Sequence, residues 1–416
     1  MKLKKHYPFL ISIFGGVLVW CFLFLIFPAT IVYPFSKETF LFILSSYIAL
    51  FLGYFLPLNF KKNIVIPKKI NKNFIYFLIG LCLVCFLVRY IDLFLNRKVS
   101  FYNSVWVNRA LLSETKPNFV FIAASIFKQI YFLPIVFILK EKFKDKKLVL
   151  ISFLLFLLPF VEGYIRGSRN VFFSSIILLL FILLFFKKIK FNKKHIIIII
   201  VTIIILFTAA TAIIMNREAN KTDNNYTSLT TDFFLNKFLQ PKPVVFKTIQ
   251  GLENQTLKKV YVSGFQIIQY YLHGVFEFDN LIKYYQKEEF KPLYGKYTFF
   301  TVIRVTNKYG ISNTDLNAVE LKNPRQITFI TFFGGLYLDF GWLGIIIMFL
   351  FGNFQRFLAN RSSQKTAYLP LFVFLLFCNF FMLTFNFIKS SGVHVLVVCL
   401  VVIFMVSLYP KFVREN

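Results

Sequence analysis

Carboxylates are scarce in this chain. Asp and Glu number 18 against 48 Lys and Arg, and charged residues of both signs make up only 16% of 416 residues. A soluble globular domain carries roughly 25% charged residues, so the composition argues against a water-soluble fold. Cysteine is rarer, at 5, and histidine rarer still, at 4. Cys21, Cys82, Cys85, Cys378 and Cys399 all fall inside apolar runs and none in a polar loop. No disulfide framework is therefore expected. Cys82-x-x-Cys85 lacks a second ligand pair and reads as helix packing, not as a metal or redox site. Neither metal nor cofactor is expected. Internal repetition is missing as well, which argues against a transporter assembled from matching halves.

What the chain has in abundance is apolar surface: 57% hydrophobic residues, 59 of them Phe, and a mean hydropathy of +0.67. Apolar runs near the ~20 residues needed to cross a bilayer recur throughout. They predict an all-α polytopic membrane protein of about ten transmembrane helices. The predicted spans are 8–27, 39–58, 74–95, 119–139, 148–161, 171–186, 196–215, 328–352, 367–386 and 393–409. Residues 1–215 hold the first seven and 328–416 the last three with a basic tail. The first run is too long for a signal-peptide core and no clear small-x-small cleavage site follows it, so it reads as an uncleaved helix.

Residues 216–327 form a polar region with 15 Lys/Arg and 10 Asp/Glu, too rich in aromatics to be disordered. Helical periodicity is expected over 227–239, 262–289 and 299–309, giving a large helical loop between the seventh and eighth spans.

The net charge of +30 would suggest nucleic acid in a soluble protein, but its distribution follows topology. With the N-terminus inside, the inside segments hold 23 Lys/Arg and the short outside segments 8. This bias predicts cytoplasmic termini, an outward-facing large loop and contact with anionic lipid.

The stretch Glu162-Gly163-Tyr164-Ile165-Arg166-Gly167-Ser168-Arg169-Asn170 breaks two apolar runs and faces outwards against the bias. A continuous helix would place Glu162, Arg166 and Arg169 on one face. The stretch reads either as a tight turn neutralised by Glu162 or as an anion clamp. Lys128 lies near mid-bilayer and needs an acidic partner, Asp92 or Glu162, or a lipid phosphate. Arg89 and Asp92, three apart, read as a structural pair. Arg217 directly follows the seventh span and either snorkels or meets substrate. In the eighth span Gly334, Gly335, Asp339, Gly341 and Gly344 suggest one tilted helix, or a surface segment with the true span starting at Asp339.

The G-S-R turn between helices five and six, the Y-Y-L-H-G-V-F-E-F-D-N segment, Y-T-F-F-T-V-I-R and T-F-F-G-G-L-Y-L-D-F-G-W-L-G together resemble the Wzy-type O-antigen polymerases, or oligosaccharide repeat-unit polymerases. The resemblance implies a metal-independent glycosyltransferase of the bacterial inner or plasma membrane. Such an enzyme joins undecaprenyl-diphosphate-linked oligosaccharide repeat units into an O-antigen, capsule or similar surface polysaccharide. It also implies partner flippases and chain-length regulators. Carried onto this sequence, the resemblance puts Arg166 and Arg169 on the diphosphate and makes Arg304 and Arg325 second-loop candidates. Related ligases use an external-loop histidine as a base candidate; His273, the one histidine of the large loop, is the catalytic candidate that matches, in a context unlike theirs, and the base stays open.

The chemistry fits those residue types. Breaking a sugar–diphosphate bond builds negative charge that guanidinium groups stabilise bidentately. A carboxylate would serve as general base, with Glu162, Glu277, Asp279 and Asp339 as candidates. Each has a plainer reading: Glu162 as Arg166's partner, Glu277 and Asp279 as solvated helix charges, Asp339 as a cap. Two other functions stay open at this point: an O-antigen ligase or other lipid-phosphosugar glycosyltransferase, and a flippase of lipid-linked sugars.

Overall fold

The computed structural model describes residues 6–56, 58, 68–103, 105–114, 118–166, 168–187, 201, 208, 211, 238–325, 329–389, 391–409 and 412–415. Two compact units are present. One comprises Met1–Ile66, Asn236–Val244 and Ile268–Leu396; the other comprises Pro67–Leu235, Val245–Ile267 and Val397–Asn416.

Among the described residues, seven helical stretches are long and apolar enough to cross a membrane: Tyr7–Ile26, Lys37–Phe55, Lys72–Asn96, Phe119–Glu141, Lys146–Ile165, Phe332–Gln364 and Ser391–Leu408. Phe173–Phe185 and Thr366–Phe380 are shorter apolar helices. The expected span 196–215 lies almost wholly outside the described residues. Leu18, Phe22 and Leu25 of the first helix are exposed, as lipid-facing side chains are.

Local chemistry sets the helix starts. Ser36, Asn71, Asn118, Asp145 and Thr331 each accept a hydrogen bond from a backbone N–H two or three residues on. Such caps satisfy donors that the first turn leaves orphaned.

In the first unit, Lys37–Phe55 packs against Gly344–Gln364. The backbones approach so closely that a Cβ on Gly53 would lie 2.0 Å from the Phe349 carbonyl oxygen, and one on Gly352 2.3 Å from that of Leu50. Small residues at a crossing are how membrane helices gain packing contact. Buried Gln355 and Asn379 exchange two hydrogen bonds, at 3.0 and 2.7 Å, and tie Gly344–Gln364 to a further helix, Leu369–Phe380.

The predicted eighth span is broken. Phe332–Phe340 ends at Gly341, whose φ of +56° is left-handed, and a 3₁₀ turn over Gly341–Leu343 leads into Gly344–Gln364. Predicted helix 262–289 is likewise two helices, Gln255–Leu272 and Gly274–Tyr285, joined at His273. Gly274 permits the join: a Cβ there would lie 2.8 Å from the Thr384 carbonyl oxygen. Prediction 299–309 matches the helix Phe300–Lys308. Predicted helix 227–239 falls outside the described residues except at its end, where Leu239–Pro241 is instead a short strand paired antiparallel with Ala29–Ile31.

In the second unit the helices are irregular at particular places. Lys72–Ile91 widens into a π turn over Asp92–Asn96. Phe119–Phe127 tightens into a 3₁₀ stretch over Lys128–Phe132, before Pro134 near the start of Leu133–Glu141. Lys146–Leu154 does the same over Leu155–Leu157, before Pro159 in Leu158–Ile165. Proline lacks the N–H that would continue the ladder, and π turns are frequent at functional sites.

Candidate functional site

The irregular turns of the second unit bring one ion network together. Glu162, buried in Leu158–Ile165, accepts through Oε1 from Arg89 Nε and Nη2, both at 3.3 Å, and from Arg166 Nη1 at 3.2 Å. Its Oε2 accepts from Lys128 Nζ. Arg89 also reaches Asp92 Oδ2 through Nη1 at 2.5 Å, and Arg97 Nε donates to the same oxygen at 2.9 Å.

Four cations therefore meet two carboxylates. Asp92, Glu162 and Arg97 are buried, and the Arg89 side chain is 11% exposed. Arg166, by contrast, is 48% exposed at the end of its helix. Cations in excess inside an apolar helix cluster are costly unless an anion compensates them.

The surrounding backbone holds Arg166 in place. Asn108 Nδ2 donates to the Ile165 carbonyl at 3.1 Å and Arg109 Nε to the Arg166 carbonyl at 3.3 Å. Both come from Val105–Glu114, a helix lying between the expected spans 74–95 and 119–139. The chain turns after Arg166, and Ser168 N donates to Gly163 O at 2.8 Å. The helix is thus not continuous through this stretch, and only the Glu162–Arg166 spacing of four is realised. Arg169 opens the next helix, Arg169–Phe185; its side chain lies outside the described residues, as does Arg217 altogether.

Of the two acidic partners expected for Lys128 beside a lipid phosphate, the structure pairs it with Glu162. Arg89 and Asp92 are paired as expected, but Arg89 also bridges to Glu162. Sequence spacing gave no sign of that bridge, nor of Arg97 as a member.

The first unit holds the remaining candidates. Glu277 and Asp279 are buried, not solvated as their simpler reading had it. Glu277 Oε1 lies 3.0 Å from Arg325 Nη1, while Oε2 is buried with no hydrogen-bond partner among the described residues. Burial pushes the Glu277 carboxyl up to about 7, although Arg325 pulls it down. Asp279 Oδ1 accepts from the Ser36 N–H at 2.8 Å, Ser36 Oγ at 2.6 Å and Thr39 Oγ1 at 2.8 Å; Oδ2 pairs with Lys283 at 2.6 Å. Burial raises the Asp279 carboxyl, but these donors outweigh it and hold it below its ordinary value.

His273 is buried with Nδ1 2.8 Å from the Tyr270 carbonyl, and burial lowers its imidazole below the usual range. Asp339 is fully buried and accepts from the Tyr297 N–H at 2.8 Å and the Thr298 N–H at 3.0 Å. It fastens the 297–298 loop beside the Gly341 break. Arg304 is 64% exposed, faces Glu320 at 3.9 Å and stacks on Phe300.

No family model, curated protein or solved structure matches the chain.

Proposed function

We propose that the chain is a repeat-unit polymerase of the Wzy type, acting on undecaprenyl-diphosphate-linked oligosaccharides at the outer face of a bacterial plasma membrane. The ten-span topology, cytoplasmic termini and outward large loop belong to this reading. The observation that carries it is the imbalance at Glu162: four cations against two carboxylates, with the Arg166 guanidinium half-exposed.

In this reading Arg166 and Arg169 take the diphosphate of the growing chain. The acceptor sugar's hydroxyl attacks the anomeric carbon, and the bond from that carbon to the diphosphate oxygen breaks. Undecaprenyl diphosphate leaves with the electron pair, and the hydroxyl proton passes to a base. The guanidinium groups stabilise charge as it develops on the leaving group. Glu162 is held by three cations, which suits positioning Arg89, Lys128 and Arg166.

A strain lacking the chain tests the reading. It should display a single repeat unit on its surface glycan. No glycan at all would indicate a flippase, and unchanged chain lengths would exclude both.

A further inference from the structure

The first unit contains a cavity of about 450 Å³, lined by Tyr33, Phe238, Phe276, Asp279, Lys283 and Arg325 among others. Small-molecule sites run from about 300 to 1,000 Å³, with hydrophobic and aromatic walls and a few convergent polar groups. This cavity sets Tyr33, Pro34, Phe238 and Phe276 against Asp279, Asn280, Lys283 and Arg325.

The charge it presents is positive. Asp279 spends both oxygens on Ser36, Thr39 and Lys283. Lys283 also donates to the Pro34 carbonyl at 2.5 Å, which fixes its ammonium at the cavity wall. Arg325 lies over the Phe238 ring, its Cζ 5.0 Å from the centroid. The carboxylate behind it, Glu277, is not part of the lining.

We propose that this cavity recognises an anionic sugar, with the sugar's carboxylate or phosphate between Arg325 and Lys283 and its ring against Phe276 and Tyr33. That the ligand is a sugar rests on the polymerase reading; that it is an anion with an apolar face rests on the cavity alone.

Ligand and Glu277 compete for one guanidinium, so binding is linked to a proton. Arg325 is the charged group that bears on Glu277, and it bears on His273 one turn back as well. From the neighbouring helices, Asp339 is engaged with Tyr297 and Thr298, and Lys37 and Glu38 are exposed. Burial brings the Glu277 carboxyl to about 7. Protonating it releases Arg325 from its pair, so the anion binds more tightly as pH falls through neutrality.

The test is saturation-transfer NMR on the full-length protein in detergent micelles, with glucuronate, glucose 1-phosphate and glucose as probes. Ring-proton saturation by glucuronate assigns the site to a carboxylated sugar and by glucose 1-phosphate to a phosphorylated one; glucose should give little. Arg325→Ala should abolish the signal. Equal saturation by glucose, or anion saturation that survives Arg325→Ala, overturns the proposal. Should that variant not fold, the pH profile decides. Glucuronate keeps its charge between pH 8 and 6, so wild-type binding should tighten several-fold over that range. Glu277→Gln should bind as well at pH 8 as at pH 6. A flat wild-type profile contradicts the linkage. No lipid-linked substrate is used, so long surface glycan in a strain lacking the chain sinks the polymerase reading alone, whereas absent binding sinks the cavity alone.

Discussion

Arg89 approaches Glu162 through two nitrogens, Nε and Nη2, each 3.3 Å from Oε1, across 73 residues of sequence. This contact joins the Asp92 pair to the Glu162 pair and makes one network of what would otherwise be two. Arg89→Ala should therefore separate the two halves and leave both carboxylates short of a cation. Loss of one member of a buried ion cluster costs about 3–5 kcal/mol. Thermal unfolding in detergent should show a drop of that size, and Arg89→Lys, which offers one nitrogen where Arg89 uses three, should recover only part of it.

Glu162→Gln should be destabilising by a similar amount, since Arg89, Lys128 and Arg166 lose their shared counter-charge. Added inorganic phosphate should restore part of the unfolding temperature, because an external anion can replace the lost carboxylate. No response to phosphate would contradict a substrate-facing anion site here.

Arg166→Ala should behave differently. Its side chain is 48% exposed, so the pair with Glu162 contributes under about 1 kcal/mol. The variant should insert and fold normally yet lose long-chain polymer, and Arg166→Lys should rescue little because the planar fork is gone. Protein level by immunoblot and glycan length by gel separate the two effects.

Glu277 gives a pH dependence of stability. Its carboxyl stands at about 7 in the folded chain against an ordinary 4.5. The folded state thus holds the proton more tightly, and this stabilisation is full below about 4.5 and lost as pH rises to about 7. The span corresponds to on the order of 3 kcal/mol. The apparent unfolding temperature should fall across that window, and Glu277→Gln should flatten the fall. An identical slope in the variant would assign the effect elsewhere.

Asp339 and Gly341 together shape the broken helix. Asp339→Ala would leave the Tyr297 and Thr298 N–H groups without their acceptor, at about 1–3 kcal/mol each. Amide exchange should accelerate at those two residues first. Gly341→Ala would strain a φ of +56° and bring a Cβ to 2.8 Å from the Phe290 ring, so it too should loosen this corner.

Much of this was legible from local pattern. Apolar run length marked the seven helices among the described residues that are long and apolar enough to cross a membrane, and the spacing of four marked Glu162 with Arg166. Lys128 announced its need of a carboxylate by sitting in an apolar run. What escaped was tertiary. Arg97 and Arg89 converge on Asp92, and Arg89 on Glu162, through a π turn at Asp92–Asn96 that no propensity marks. Asp279 meets Ser36 and Thr39 from 243 and 240 residues away, so its solvated reading was the natural one. The break at His273 was hidden because apolar periodicity continues across it; Gly274 was its one local sign.

The most direct measurement is reconstitution. The purified full-length chain in lipid vesicles, given undecaprenyl-diphosphate-linked repeat units from its own cell, should extend them into a ladder and release one undecaprenyl diphosphate per new bond. The Arg166→Ala protein, folded to the same extent, should leave them as single units. A wild-type protein that produces nothing longer than one unit, or an Arg166→Ala protein that builds the full ladder, would contradict the account.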